Sequence, residues 1–408
     1  MGDTVSILYR GNWRLRLGAW QPRRLAAYCV AMKADVLLKN GTILDPSQEV
    51  FETGDIAFAD AKVYKRGKNL ESAGITAYKT LDMAGKIVTP GFIDLHVHVF
   101  PGVSHYGIDV DSSCLKRGVT TAVDAGSAGA HTFEGFRRYV IDASSTRLYA
   151  LLNISSQGML CKEIPELEDI RYANVSRAVQ ACEDNSDVIL GIKVRLTPSI
   201  VGNNGRAALR RAREAADATQ RMLMVHPNGA DFPLHDILAE LNAGDVLTHC
   251  FHGLSNGVLD ERGKVKSVVR QAVERGVILD VGHGRGSFTF QVAQTALAQG
   301  VQPHTISSDL HRYNINGPVY DLATTVTKFL YLGFSLQEVI RKVTLNPARV
   351  LQSDQQIGTL REGACADATV LDLIEQRCEL TDCEGVTVTA EQRLEPALVL
   401  RQGNVWYL

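Results

Sequence analysis

The sequence predicts an α/β protein: a (β/α)8 TIM barrel with a small β-sandwich formed by segments from both ends of the chain. From Ile87 to Thr344, short apolar runs alternate with helical stretches, which is typical of βαβ units around a parallel sheet. Short strands separated by turns precede this region and return after Pro347. The 408 residues, 45% hydrophobic and 22% charged, suffice for a barrel and an added unit.

Residues 1–31 differ in composition from the rest of the chain. They are rich in arginine and contain a single acidic residue, Asp3. Such a stretch is typical of an organelle leader, and it is also what an upstream start codon would add ahead of Met32. We favour the extended start and, in either case, expect the segment to lie outside the fold.

The β-sandwich is predicted from residues 32–86 together with residues 347–408. Turn residues such as Asn40, Gly41 and Asp60 divide the first segment into short strands. The predicted strands are 35–39, 42–44, 55–58, 63–64, 367–371 and 397–400.

The barrel is predicted over residues 87–346, with one strand for each of eight apolar runs. These runs are Ile87–Val97, Thr120–Asp124, Leu148–Asn153, Val188–Val194, Met222–His226, Val246–His249, Val277–Val281 and Thr305–Ser308. The predicted helices include Thr132–Ala143, Ala207–Ala218, Phe232–Leu241, Val265–Glu274, Phe288–Ala298, Val319–Leu330 and Leu336–Thr344.

Charge and cysteine content narrow the classes of partner. A formal net charge of -2 argues against nucleic-acid binding through a general basic field. No run of about 18 apolar residues predicts a membrane-spanning helix. The 8 cysteines form no CxxC pair, which favours a reducing compartment, the cytoplasm, over a disulfide framework or a cysteine zinc site. We expect a small-molecule substrate and a homo-oligomer.

The first barrel strand ends in a pair of histidines that could bind one metal ion. Asp94, His96 and His98 alternate along the strand, so they are expected on one face. A lone HxH pair is also compatible with polar residues at an exposed strand end. Its position favours a site, because barrel enzymes build their sites at the carboxyl ends of the strands.

Lys193 lies in an otherwise apolar run at the end of the fourth strand. Desolvation lowers the pKa of a buried amine, and a neutral lysine can react with carbon dioxide to give a carbamate that bridges two cations. The alternative is a lysine that extends its ammonium group to the surface at a strand end.

Later strands place three more candidate ligands at the same rim: His226 ends the fifth strand, His249 ends the sixth, and Asp309 follows the eighth. Neutral imidazole and carboxylate are the ligands of catalytic zinc sites that keep a position open for water. Asp309 could also accept a proton, although in isolation it would fit equally well as a helix N-cap.

Together these residues resemble the amidohydrolase superfamily, and the resemblance covers residues 32–408. The segment that precedes the two histidines, Pro90-Gly91-Phe92-Ile93-Asp94, is part of the resemblance. Four further segments resemble the dihydroorotase-like deacetylase, or cyclic amidohydrolase, subgroup: Gly191-Ile192-Lys193-Val194-Arg195, Thr248-His249-Cys250-Phe251-His252-Gly253, Asp280-Val281-Gly282-His283-Gly284 and Gly317-Pro318-Val319-Tyr320-Asp321-Leu322.

The resemblance implies a centre with two divalent metal ions, usually Zn²⁺. It assigns His96, His98 and Asp309 to one ion and His226 and His249 to the other, with Lys193, carboxylated by CO2, between them. A metal-bridging hydroxide would attack the substrate carbonyl, and Asp309 would act as the catalytic residue that transfers the proton to the leaving group.

Substrate-binding residues are predicted on the loops around this rim. Arg195 shares a face with Lys193, and its guanidinium suits a substrate carboxylate, although a structural ion pair is the alternative. His283 follows the seventh strand in a glycine-rich turn and is interpreted as facing the substrate rather than as a flexible loop histidine. Weaker candidates are His252, Arg285, Arg312 and Tyr313. His105, His131, His235 and His304 are interpreted as surface or core histidines, and Asp124 as a residue that orients a neighbour.

Three functions compete. The leading hypothesis is a metal-dependent deacetylase that removes an acetyl or similar acyl group from a small amino- or hydroxy-acid derivative that carries a carboxylate. The second is a cyclic-amide hydrolase of the dihydroorotase or hydantoinase type. The third is a non-catalytic scaffold, which the complete set of expected ligands disfavours. Fold-level resemblance does not fix the substrate.

Overall fold

The computed structural model describes residues 33–408, and it places seventeen strands and eleven α-helices in that range. The strands are β1 (Ala34–Asp45), β2 (Val50–Ala59), β3 (Lys62–Gly67), β4 (Ala77–Asp82), β5 (Ile87–Pro90), β6 (Phe92–Val97), β7 (Val119–Gly129), β8 (Arg147–Asn153), β9 (Ile189–Arg195), β10 (Met222–His226), β11 (Val246–Leu247), β12 (Ile278–Leu279), β13 (Ala368–Ile374), β14 (Cys378–Thr381), β15 (Thr387–Ala390), β16 (Arg393–Arg401) and β17 (Asn404–Tyr407). The helices are α1 (Val110–Ser113), α2 (Phe133–Phe136), α3 (Val175–Asp184), α4 (Pro198–Val201), α5 (Gly205–Thr219), α6 (Leu234–Ala239), α7 (Ser267–Glu274), α8 (Phe290–Ala298), α9 (Leu322–Tyr331), α10 (Leu336–Val343) and α11 (Leu345–Val350).

One sheet combines both ends of the described chain. Its strand order is β17-β16-β13-β5-β1-β2-β3, and β4 also pairs with β1. Its apolar side chains form a separate core, which includes Val36, Phe58, Val88, Val370 and Leu400. The early and late strands therefore complete each other's hydrophobic surface, since neither segment could bury it alone.

The other large sheet is parallel and curled, with the order β12-β11-β10-β9-β8-β7-β6. Parallel bridges from Asp280 to Thr305 and from Val97 to Leu310 place the segment 305–310 between β12 and β6. This segment occupies the eighth position as isolated bridges rather than as a regular strand. The predicted (β/α)8 barrel is confirmed.

The predicted strand Ile87–Val97 is wrong as a single element. β5 pairs with β1 and β13 in the mixed sheet, whereas β6 pairs with β7 in the barrel. The chain changes sheets at Gly91, where an added Cβ would lie 2.1 Å from Oγ1 of Thr120. Only glycine permits this close approach, and an apolar run carries no signal that separates two adjacent strands.

Other differences concern elements with weak apolar patterns. The predicted helix Thr132–Ala143 is a short α2 followed by a π-helical stretch, Arg137–Ile141. The strands β4, β14, β15 and β17 were not predicted. In β4 the side chains alternate between exposed and intermediate, so the strand has no buried face that a hydrophobic pattern could indicate.

Candidate active site

The carboxyl ends of the barrel strands bring three potential ligands together. Nε2 of His98 lies 3.2 Å from Oδ1 of Asp309, and Nε2 of His96 lies 3.5 Å from the same oxygen. All three side chains are buried, and one ligand atom from each lies within 4.8 Å of the others. Side chains from the first and the eighth strand positions of the barrel therefore meet at one potential metal site.

Hydrogen bonds behind His96 fix the direction of its lone pair. The hydroxyl of Thr248 donates to Oδ2 of Asp280 at 2.8 Å, so its oxygen is left to accept from Nδ1 of His96 at 3.0 Å. Nδ1 of His96 therefore carries the proton, and Nε2 presents its lone pair to the site. Burial raises the pKa of the Asp280 carboxyl, which also accepts from the hydroxyls of Thr305 and Ser307.

Similar contacts hold the other imidazoles. Nδ1 of His249 donates to the carbonyl of Gly282 at 2.6 Å, which leaves Nε2 unprotonated and without a partner in the described chain. Thr197 donates its hydroxyl proton to the carbonyl of Asn228, so it accepts from Nε2 of His226 at 3.1 Å, and Nδ1 of His226 holds the lone pair. The rings of His226 and His249 are 4.4 Å apart.

His98 is oriented from the second strand of the barrel. Its Nδ1 lies 3.0 Å from the hydroxyl of Ser127. Asp124 accepts from the backbone amides of Val99 and Ser127, at 2.8 and 2.7 Å, and so ties this turn to the end of β6. The interpretation of Asp124 as a residue that orients its neighbours agrees with these contacts.

Lys193 lies at the floor of this group and is 1% exposed. Its Nζ is 3.4 Å from Nε2 of His96 and 3.3 Å from Sδ of Met224. Burial lowers the pKa of the Lys193 amine to about 7. The alternative of a surface-directed lysine does not describe this side chain. Gly126 has a φ of +94° and passes so close that an added Cβ would lie 2.8 Å from Cγ of Lys193.

Burial lowers the pKa of every imidazole in the group, including that of His249 to about 3. The rings are therefore neutral near pH 7 and offer lone pairs, which is the form that binds a metal. Oδ1 of Asp309 and Nε2 of His249 are buried with no hydrogen-bond donor or acceptor among residues 33–408. Such unsatisfied atoms are costly to bury, so this set of side chains fits a divalent cation.

Asp309 does not serve as a helix N-cap. It has a φ of +49°, its amide donates to the carbonyl of His96 at 2.8 Å, and α9 begins only at Leu322, where Asp321 provides the cap. Asp94, expected beside the two histidines, turns instead toward the eighth position and accepts from the amide of Ser308 at 3.0 Å.

The site opens into a cavity of about 520 Å³. Arg195 lines it, and its Nη1 forms a 2.9 Å ion pair with Oε1 of Glu166, while the guanidinium lies 5.3 Å from the centre of the Tyr106 ring. Arg285 and Lys162 also line this cavity, and neither has a carboxylate within 4.0 Å in the described part of the chain. Glu166 neutralises the charge of Arg195, so the positive charge of the cavity wall comes from Arg285 and Lys162.

The structure does not bring His283 or His252 into this cavity. His283 is fully buried, stacks on Phe288 and accepts from Nζ of Lys328 at 2.7 Å, so the expectation that it faces the substrate is corrected. His252 lines a separate cavity of about 660 Å³. The glycines around His283 allow close backbone approach to Asp309 and His249 rather than to a ligand.

Several residues of the cavity escaped the sequence analysis. His311 lies two residues beyond Asp309, and its ring is 4.4 Å from that of Tyr106. His105, taken as a surface or core residue, also lines the cavity. Side chains two residues apart along an extended segment share a face, so the position of Asp309 could have indicated His311. No local sequence pattern identifies Tyr106 or Glu166, because both lie on long loops.

The protein is a curled parallel barrel with a buried group of histidine and aspartate side chains at its carboxyl rim. This combination is typical of metal-dependent barrel hydrolases. The model of the family described as Amidohydrolase family matches residues 87–405, and the chain belongs to this family. A deacetylase of Agrobacterium fabrum (strain C58) is 37% identical over 338 residues, which are 83% of this chain and 82% of that protein.

Two solved structures are similar over almost the whole chain. An adenine deaminase has a TM-score of 0.85 and 35% identity, covering 92% of this chain and 100% of that one. A dihydroorotase has a TM-score of 0.82 and 36% identity, covering 91% and 99%. The chain is thus an amidohydrolase that acts on amide bonds, and the different names of its relatives leave the substrate open. No helix among residues 33–408 is long and apolar enough to cross a membrane.

Proposed function

We propose that this protein is a metal-dependent deacetylase that cleaves an acetyl or similar acyl group from a small amino- or hydroxy-acid derivative bearing a carboxylate. The observation that carries the proposal is the position of the buried imidazoles and Asp309 at the floor of a cavity with a cationic wall. The imidazoles and Asp309 at the floor could hold the metal ions needed for hydrolysis. The positive charges of the wall would attract an anionic substrate. The deacetylase relative supports the acyl group.

The proposed ligand set follows from the free lone pairs. His96, His98 and Asp309 would hold one Zn²⁺ ion, and His226, through Nδ1, and His249, through Nε2, would hold a second.

Lys193 would complete the set as a carbamate. A neutral amine attacks carbon dioxide, forms an N–C bond and loses one proton to water, which turns a neutral group into an anionic carbamate. The lowered pKa of Lys193 favours the neutral amine that this reaction needs. An ammonium at this position would instead repel dications.

When bound, the metal ions would polarise the scissile carbonyl and lower the pKa of a water molecule. The chain's own residues would supply proton transfer and orientation. Asp309 has two carboxylate oxygens, so while Oδ1 would bind the ion beside His96 and His98, Oδ2 would take the proton of the attacking water and return it to the departing nitrogen or oxygen. His311 and Tyr106 line the cavity beside this group, where they would contact the acyl group of the substrate.

The substrate carboxylate would bind at Arg195. Its guanidinium has five N–H donors, and the described contacts with Glu166 use one nitrogen, so others remain for a ligand. Because Glu166 already balances this charge, Lys162 and Arg285 at the same cavity would add the net attraction for an anion. His252 and His283, which lie elsewhere, have no place in this substrate site.

The test is a comparison of substrates with and without the carboxylate. Zinc-loaded protein should be assayed with N-acetyl amino acids and O-acetyl hydroxy acids of both hands, and with the corresponding primary amides as neutral controls. We expect kcat/KM to fall at least about tenfold when the carboxylate is neutralised, as for the loss of a charge-assisted contact. Asp309→Asn should remove most turnover, whereas Asp236→Asn, which changes a carboxylate on α6 outside the cavity, should retain zinc and turnover.

A second candidate, a cyclic-amide hydrolase, is favoured by the dihydroorotase structure at 36% identity. Dihydroorotate and hydantoins, together with adenine because of the other solved structure, therefore belong in the same assay. Faster turnover of a ring substrate than of every acetylated acid, or equal rates for acids and their amides, would contradict the deacetylase proposal.

A further inference from the structure

A second large cavity lies at the opposite end of the barrel from the candidate active site. It has a volume of about 930 Å³, and its wall includes Leu190, Met222 and Ile278, which lie at or next to the amino ends of β9, β10 and β12. The ligand group is at the carboxyl ends of the strands, so the two cavities do not share a wall. Small-molecule pockets typically enclose about 300–1,000 Å³, and this cavity falls in that range.

The floor of this lower cavity is apolar. Leu190, Met222, Ile278 and Val350 are only partly buried and pack against a hydrophobic cluster that fills the barrel beneath the active site. Their remaining surface faces the cavity rather than another element of the described chain. Removing such surface from water is favourable, so the floor suits an apolar body.

The wall of the lower cavity is rich in hydrogen-bond donors. Asp245 and Asp217, the two carboxylates that line the cavity, both pair with Arg213. Three arginines line the cavity in all, so its wall keeps an excess of one positive charge. Arg221 also lines the cavity. Its side chain makes one hydrogen bond, to the carbonyl of Ile189, and has no carboxylate within 4.0 Å in the described chain. Arg349 is the third guanidinium, and its closest carboxylate contact is at 3.7 Å on an exposed surface.

His304 adds a donor of fixed orientation. Its Nδ1 accepts from the amide of Leu279 at 3.1 Å, so the neutral ring carries its proton on Nε2. Burial lowers the pKa of His304, which keeps this ring neutral near pH 7. Nε2 has no partner among residues 33–408, and the ring lines the lower cavity, so its N–H is available to an acceptor there.

We propose that the lower cavity is a second ligand site, which binds a small organic carboxylate with an apolar or aromatic body. Arg221 would bind the carboxylate, and the floor formed by Leu190, Met222 and Ile278 would cover its body. The Nε2–H of His304 would be available to a second acceptor on the ligand. A neutral molecule of the same shape would leave the Arg221 charge unmatched, and a small inorganic anion would leave the floor exposed to water. The site is distinct from the catalytic cavity and independent of the reaction catalysed there.

The experiment uses 4-fluorobenzoate as the probe and the full-length, zinc-loaded protein. Binding is followed by 19F NMR titration, with 4-fluorobenzyl alcohol as the neutral control and acetate as the control without an apolar body. We expect saturable binding of 4-fluorobenzoate and at least about tenfold weaker binding of both controls.

Two variants locate the site. Arg221→Gln removes the proposed anchor, and Ala243→Trp fills the mouth of the lower cavity from an exposed position without altering a buried charge. Each should weaken binding of 4-fluorobenzoate at least about tenfold. The matched control, Arg285→Gln, removes a guanidinium from the catalytic cavity and should leave this binding within about twofold.

The proposal is overturned if 4-fluorobenzoate shows no saturable binding, if the alcohol binds equally well, or if Ala243→Trp binds the probe as the unaltered protein does. Loss of binding in Arg285→Gln but not in Arg221→Gln would assign the probe to the catalytic cavity and would equally refute the second site. Should Arg221→Gln fail to fold, Ala243→Trp alone still decides the outcome.

Discussion

Thr248 carries no ligand atom of the candidate centre, yet we predict that replacing it by valine weakens metal binding. The side chain is fully buried, and its hydroxyl stands between His96 Nδ1 at 3.0 Å and Asp280 Oδ2 at 2.8 Å. Valine has nearly the same shape but neither donates nor accepts. Without the hydroxyl, the Nδ1–H of His96 loses its acceptor, and the tautomer that turns the Nε2 lone pair inward is no longer enforced.

The size of the effect follows from what is lost. Removing a partner behind a ligating histidine typically costs about 10–100-fold in metal affinity, or about 1.4–2.7 kcal/mol. Asp280 keeps its bonds from Thr305 and Ser307, so the folded state should lose only about 1–3 kcal/mol for the missing donor. Gly282 passes so close that an added Cβ there would lie 2.4 Å from Oγ1 of Thr248, which leaves no room to compensate by a shift of the turn.

Zinc affinity measured by competition with a chelating dye tests this prediction, and the melting temperature of the metal-free protein reports the separate effect on folding. Thr248→Ser is the matched control, since it keeps the hydroxyl and loses only a methyl group, and it should bind zinc within about threefold of the unaltered protein. Thr248 has no role in orienting His96 if Thr248→Val binds zinc as tightly as the unaltered protein. The same holds if Thr248→Ser loses as much zinc affinity as Thr248→Val.

The remaining predictions concern three other parts of the chain. Lys193→Ala should reduce bound zinc and abolish most turnover while the fold persists, and added short carboxylic acids should restore part of the activity; elemental analysis and kinetics test both halves, and near-normal zinc and turnover would rule out the bridging role. Arg195→Ala should raise KM for carboxylate substrates by the equivalent of about 1.5–3 kcal/mol, measured against the neutral amides, whose KM should change little. Deleting residues 1–31 should leave the melting temperature and turnover unchanged, because the first described strand begins at Ala34; a large loss of either would show that the segment packs on the fold.

The barrel was predictable because its strands are buried on both faces. Runs such as Leu148–Asn153 and Met222–His226 read as apolar segments with polar residues at their ends, so both the fold and the position of His226 follow from the order of residue types. The division at Gly91 did not follow, because it depends on Thr120 lying against the chain, a contact between residues far apart in sequence.

Contacts between residues far apart in sequence also explain which site residues were predicted wrongly or missed. His96, His98 and Asp309 could be placed because strand ends of a barrel meet at one rim. His283 follows a strand in the same way, but its environment is decided by Lys328 on α9, whose amine also donates to the carbonyls of Pro318 and Thr381 at 2.8 and 2.7 Å. Glu166, which neutralises Arg195, lies on a long loop whose course the sequence does not specify.

A crystal structure of the zinc-loaded protein, with anomalous diffraction recorded at the zinc absorption edge, would show directly whether the barrel holds a two-metal centre. We expect two zinc peaks at the carboxyl rim of the barrel, one bound by His96, His98 and Asp309 and the other by His226 and His249. Continuous density extending Lys193 by a carboxylate should lie between the two peaks. Zinc bound elsewhere, no zinc at His96 and His98, or an unmodified Lys193 amine beside two fully occupied zinc ions would contradict this expectation.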